Sequence, residues 1–143
     1  MDKFYLAAAI DPCRHLSINM DLNELTRQIL AFRDARDWKQ FHSPDQLAKA
    51  VAIEAAELQE HFLWKSPKEV EALIADRRKR QEIGEEVADV LNYALLLAAE
   101  LGLDPAEIIV SKLAKNGVKY PVEKAKGSAK KYTEYSARKH APK

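Results

Sequence analysis

One cysteine, four glycines, six prolines and an aromatic content of 8% are all this 143-residue chain has of the residues that usually punctuate or cross-link a fold. Each scarcity removes a class of architecture. The single Cys13 excludes a disulfide framework and any multi-cysteine zinc site, and it suits a reducing compartment. So few glycines and prolines leave little material for tight turns, which argues against β-rich folds and collagen. With 47% apolar and 31% charged residues the chain has the composition of a globular domain, not of a disordered one. No run approaches the roughly 18 uncharged apolar residues that a membrane helix needs. The apolar residues 4–10 follow Lys3, but Pro12, Cys13 and Arg14 make no small-residue cleavage site, so secretion is not expected. A chain of this length buries roughly 70% of its unfolded surface in one core and needs neither disulfide nor structural metal to fold. The expectation is one cytoplasmic, helical domain without a membrane segment.

Net charge is also nearly absent, at +1, but the two signs are segregated. Residues 1–118 hold 15 Lys plus Arg against 20 Asp plus Glu, a balance of −5, and residues 119–143 hold 8 against 2, a balance of +6. Such a split suits a tail for nucleic acid, or an acidic metal-loaded pocket whose anionic ligand is gripped by the basic end. Lys124, Lys126, Lys130, Lys131, Arg138 and Lys139 charge the tail, yet only Tyr132 and Tyr135 add stacking and no recognition motif accompanies them. Nucleic acid is therefore not expected as the main partner, since charge alone gives weak, salt-sensitive binding.

What is present in quantity is helix signal. Ser43-Pro44-Asp45-Gln46, Ser66-Pro67-Lys68-Glu69 and Asp104-Pro105-Ala106-Glu107 share one design. A capping side chain accepts from a free backbone N–H, Pro occupies the first helical position, and Gln or Glu closes a capping box. Asp21-Leu22-Asn23-Glu24 is a fourth start without the proline. Leu22, Leu25, Ile29 and Phe32, then Leu47, Val51, Leu58 and Phe62, recur at helical period. Gly102 and Pro121 supply stops. The pattern predicts helices near residues 22–36, 44–63, 67–75, 78–101 and 105–119: an all-α bundle of four to five helices. Residues 1–19 carry no cap or sustained period and read as an N-terminal extension, 20–121 as the helical domain, and 122–143 as a basic C-terminal tail.

The chemistry lies in paired carboxylates. Glu54 and Glu57 on the second helix, and Glu86 and Asp89 on the fourth, stand three apart, within about 60° of each other on a helix surface. Val51, Ala52, Ile53, Ala55, Ala56 and Leu58 surround the first pair, and Val87, Ala88, Val90 and Leu91 the second. Like charges in such company repel, and carboxylates are rarely buried without a partner. Pairing with Lys49, Arg77 or Arg80 on solvated faces would meet the need; so would a cluster of four carboxylates from two facing helices around Mg²⁺ or Mn²⁺. A di-iron centre would want Glu-x-x-His, which neither segment contains. Lys112, Asn116 and Lys119 share one face of the last helix, either a solvated basic face or a cradle for a polyphosphate. Trp38, His42, Trp64 and Tyr93 stand near helix ends or the carboxylates, where they serve as boundary packing or as stacking surfaces for a nucleobase.

An ordered set of motifs joins these features. It runs Arg36-Asp37-Trp38 with Phe41-His42, Glu54-Ala55-Ala56-Glu57-Leu58, Phe62-Leu63-Trp64-Lys65-Ser66 and Glu85-Glu86-Val87-Ala88-Asp89-Val90-Leu91-Asn92-Tyr93. Ser111-Lys112, Asn116, Lys119-Tyr120-Pro121 and Lys126-Gly127-Ser128 complete it. Across residues 22–135 the chain resembles the all-α nucleoside triphosphate pyrophosphohydrolases of the MazG-like superfamily, closest to their dCTP pyrophosphatase branch. The resemblance implies a homo-oligomer, usually a dimer of dimers, that converts dCTP, and modified dCTP analogues, to dCMP and pyrophosphate in nucleotide-pool house-cleaning. A broader (d)NTP range within the same superfamily is the neighbouring reading, and a helical module without chemistry the remote one. It further implies that Glu54, Glu57, Glu86 and Asp89 ligate Mg²⁺, with Mn²⁺ as a substitute. Trp38, His42, Trp64 and Tyr93 would form the base pocket, and Lys112, Asn116, Lys119 and Tyr120 would hold sugar and phosphates. Many relatives carry Arg before the Tyr-Pro pair; here Lys119 keeps the charge without the bidentate fork.

Overall fold

The computed structural model describes residues 21–135, and among these the chain is helical with no strand. Five principal helices follow in order: α1 (Leu22–Asp34), α2 (Pro44–Glu60), α3 (Pro67–Ala75), α4 (Arg77–Glu100) and α5 (Pro105–Lys119). A short α6 (Val122–Ala125) and two 3₁₀ turns, Trp38–Phe41 and Tyr132–Glu134, complete the described chain. The all-α bundle expected from the periodicity is the fold observed. Residues 1–19, read as an extension, lie outside the described residues, as do residues 136–143 of the tail.

Local chemistry accounts for the boundaries. Asp21 accepts from the Glu24 N–H at 2.7 Å, and Asp104 accepts from both Ala106 and Glu107 at 2.8 and 3.0 Å, opening α1 and α5. Ser66 and Glu69 form the reciprocal capping box of α3. The start of α2 departs from expectation: Ser43 makes no capping bond, because its hydroxyl donates at 2.6 Å to Asp45, leaving Pro44 to set the entry alone. Asp76, not singled out from the sequence, ends α3 and caps α4 through Lys79 N–H at 2.9 Å. Gly102, at φ +66°, closes α4 with a bond from Leu103 N–H back to Ala98 C=O at 2.9 Å.

The framework is the packing of α2 on α4, with α1 and α3 laid against α4. Its core within one chain is thin: Leu47, Leu95, Leu96 and Ala98 are the buried apolar residues among those described. Arg33 is also buried, and its guanidinium is held by Asp34 at 2.7 Å and by Glu100, tying α1 to the end of α4. Buried charge survives only when paired in this way. By contrast Ile53, Val87 and Leu91 on α2 and α4, and Ile108, Ile109 and Leu113 on α5, are all exposed. After Pro121 the chain turns back, and Tyr120 meets Tyr132 and Tyr135 edge-on at 5.8 and 6.2 Å.

Candidate active site

Facing carboxylates from the two best-packed helices form the centre of the site. Glu54 and Glu57 of α2 and Glu86 of α4 present oxygens that all lie within 4.8 Å of one another. Asp89 is one turn further along α4, outside that group, yet its charge still acts on Glu54. Burial, then the charges of Glu57, Asp89 and Glu86, raise the Glu54 carboxyl above the ordinary glutamate value. The basic partners that would have neutralised these groups are engaged elsewhere or do not reach them. Lys49 pairs with Asp45 at 3.2 Å, and among the described residues neither Arg77 nor Arg80 forms an ion pair with the four carboxylates; their neighbours Arg78 and Lys79 both pair with Glu82, at 3.0 and 2.8 Å. Three unneutralised, oxygen-only donors at this spacing fit a hard divalent cation.

Two hollows flank the carboxylates. The first, of about 420 Å³, lies between α1, the 3₁₀ turn and α4, and is walled by Leu25, Gln28, Ile29, Phe32, Arg33, Trp38, His42, Asp89, Asn92, Tyr93 and Leu96. Asp37 adopts a left-handed conformation (φ 54°) that an Asp tolerates, and so folds the chain back to place Trp38 against Phe32, edge-on at 6.0 Å. Arg36 lies over the Phe32 ring at 3.5 Å. His42 meets Tyr93 edge-on at 6.4 Å, and its Nδ1 is buried without a hydrogen-bond partner. Burial and the nearby Glu54 and Asp89 raise the Tyr93 hydroxyl above its ordinary value, so it stays protonated. The second hollow, of about 560 Å³, is polar and is lined by Glu57, Glu60, His61, Lys65, Leu73, Lys79 and Glu86. Asp89 thus stands in one wall, and Glu57 and Glu86 in the other, with Glu54 among them.

Of the aromatic residues singled out from the sequence, Trp38, His42 and Tyr93 converge on the first hollow. Trp64 does not: it is 93% exposed and holds a left-handed backbone (φ 61°), a strained state for a bulky side chain. Nor does α5 deliver its polar residues to either hollow. Lys112 sits beside Glu107, Ile108, Ser111 and Lys115, and Lys119 Nζ lies 5.1 Å from the Tyr132 ring centre. The Asn116 carbonyl accepts from Tyr120 N–H, and Tyr120 stacks on the returning chain. Sequence reasoning missed Phe32, Gln28 and Asn92 on one side and Lys65 and Lys79 on the other. The signal was available for Asn92, since Asp89, Asn92, Tyr93 and Leu96 share one face of α4 at spacings of three and four.

A helical scaffold that sets two pairs of acidic residues against each other is the arrangement of one class of proteins. Residues 49–135 match the MazG-like family, and the chain belongs to it. Within that family it falls in the dCTP pyrophosphatase branch. It is 38% identical over 128 residues to dCTP pyrophosphatase 1 of Mus musculus, covering 90% of this chain and 75% of that one. The human protein of the same name is 38% identical over 113 residues, 79% of this chain and 66% of its own length. A solved structure of a pyrophosphatase from Archaeoglobus fulgidus superposes with a TM-score of 0.65 at 37% identity, over 76% of this chain and 99% of that one.

Proposed function

We propose that this protein is a nucleoside triphosphate pyrophosphohydrolase that cleaves dCTP to dCMP and pyrophosphate. The observation that carries the reading is the junction of an aromatic-walled hollow with three unneutralised carboxylates and a second hollow lined by Lys65 and Lys79. The base enters the first hollow between Trp38 and Tyr93, which offer flat apolar faces. The triphosphate then lies across the acidic group, its far end toward the lysines. Glu54, Glu57 and Glu86, joined by Asp89, would hold Mg²⁺, which when bound neutralises phosphate charge and activates water. This chain's own residues do the rest. The aromatic walls and the fixed carboxylates set the α-phosphorus in line with the attacking water. One of Glu54 and Glu57 takes that water's proton. Pyrophosphate leaves toward Lys65 and Lys79.

The same reading includes a homo-oligomer, a dimer of dimers, working in the cytoplasm. Two separate exposed apolar faces, one on α2 and α4 and one on α5, support two kinds of contact between copies. Trp64 and the α5 set of Lys112, Asn116, Lys119 and Tyr120 would then reach the hollows of a neighbouring copy. Among the described residues no helix is long and apolar enough to cross a membrane. The test is pyrophosphate release from a panel of canonical and 5-modified NTPs and dNTPs, with Mg²⁺ and with chelator. Wild type should release it from dCTP-type substrates, dependent on metal, and Glu57→Ala should lose at least a hundredfold, the scale expected when a charge-stabilising group is removed. No release from any nucleotide by folded wild type would remove the reading, and equal release from all bases would favour the broader (d)NTP range.

A further inference from the structure

Stacking faces accept any base, so the choice of base must come from polar groups in the same hollow. Seven side chains there bear such groups: Gln28, Arg33, Trp38, His42, Asp89, Asn92 and Tyr93, of which Trp38 and Tyr93 are engaged with the base through their ring faces in the reading above. Arg33 is occupied by Asp34 and Glu100, and Gln28, at the exposed rim, donates to Glu24 at 3.2 Å. Asp89 acts with the carboxylates. That leaves His42 and Asn92, and none of the side-chain hydrogen bonds among the described residues uses the half-buried Asn92 amide. The Asn92 amide is open to the hollow and free to bond whatever enters it. Asn92 also stands in the right place. It lies three residues beyond Asp89, about 4.5 Å further along the helix, and immediately before Tyr93. A nucleotide whose phosphates are fixed at the carboxylates and whose ring lies against Tyr93 brings its edge to this position.

We propose that Asn92 reads the hydrogen-bonding edge of the substrate base, Oδ1 accepting from the amine at C4 of cytosine and Nδ2 donating to N3. An amide matches adjacent donor and acceptor atoms bidentately, as it does on adenine in nucleic-acid recognition. His42, whose Nδ1 is buried without a partner, lines the same hollow beside Asn92. This assignment rests on the nucleotide reading above and adds to it the residue that selects the base.

The test pairs an enzyme change with a substrate change. Wild type and Asn92→Leu, close in shape but without the amide, are compared on dCTP and on the analogue that lacks only the 4-amino group. Wild type should prefer dCTP by about tenfold in kcat/KM, the lower part of the range of a bidentate pair, since the analogue keeps N3. Asn92→Leu should lose most of that preference, KM rising more on dCTP, where two bonds are lost, than on the analogue, where only the bond to N3 is lost. Asn92→Ala and the equilibrium binding of the two monophosphates give the same comparison without turnover, and thermal melts verify folding. If Asn92→Leu keeps the wild-type preference, or loses the same factor on both substrates, Asn92 is a packing residue and the assignment falls. If wild type does not distinguish the two substrates, the amine is not read and it falls likewise. Absence of any pyrophosphate release by wild type is a different failure, that of the nucleotide reading itself.

Discussion

At the scale of single residues, the site is defined by groups whose needs are left unmet by their own chain. Glu54 shows this best, because burial and three neighbouring carboxylates all oppose its ionisation. A carboxyl whose folded pKa is raised supports folding while protonated, and that support is lost as pH rises through the raised value. In metal-free protein, Glu54→Gln should therefore raise Tm at neutral pH, by on the order of 2 °C, and the gain should vanish as pH falls below the ordinary carboxylate range. Addition of Mg²⁺ should reverse the order, raising wild-type Tm more than that of the variant. Calorimetry at three pH values with and without metal decides it; a variant less stable than metal-free wild type at neutral pH would mean that Glu54 is satisfied by a partner. The pairing of Glu54 with Glu57, and of Glu86 with Asp89, was legible because a helix brings residues three apart together whatever else the fold does. The unpaired state of His42 Nδ1 was not, since it depends on which atoms from α1 and α4 happen to surround it.

At the scale of elements, the chain announces its helices by their first residues, and the structure separates working caps from apparent ones. Asp104 accepts two backbone N–H groups and an Asn23 amide bond at 3.4 Å, whereas Ser43 has turned away to Asp45. Asp104→Ala should lower the midpoint of urea unfolding clearly, and Ser43→Ala should leave it nearly where it is. Equal costs would show that Ser43 caps α2 in solution. The sequence could not distinguish the two, because Ser-Pro-Asp-Gln offers its serine a competing carboxylate two residues away. Asp76 escaped notice for the opposite reason, as it both ends α3 and starts α4 with no connecting loop between them. Trp64, at the end of the segment that follows α2, has a conformation that no propensity argues for; its strain follows from the tight turn before α3.

At the scale of the whole molecule, one chain is short of core. Four buried apolar residues among those described, against exposed Ile53, Leu91, Ile109 and Leu113, leave apolar faces that a second copy would cover. Leu113→Glu should place an unpaired charge on the α5 face, weaken association by about 2 kcal/mol or more, and lower the mass measured by light scattering at fixed concentration. An unchanged mass would take the α5 face out of any interface between copies. The sequence by itself determined the helical class, the helix boundaries to within a turn, the two acidic pairs and the family, because all of these are written in local spacing and local caps. Only the tertiary structure decided that Trp38, His42 and Tyr93 meet in one hollow while Trp64 and the α5 residues stay outside it. It alone brought Lys65 and Lys79 to the site, because which faces of separate helices meet is fixed by packing between residues far apart in the chain, and no local period records it.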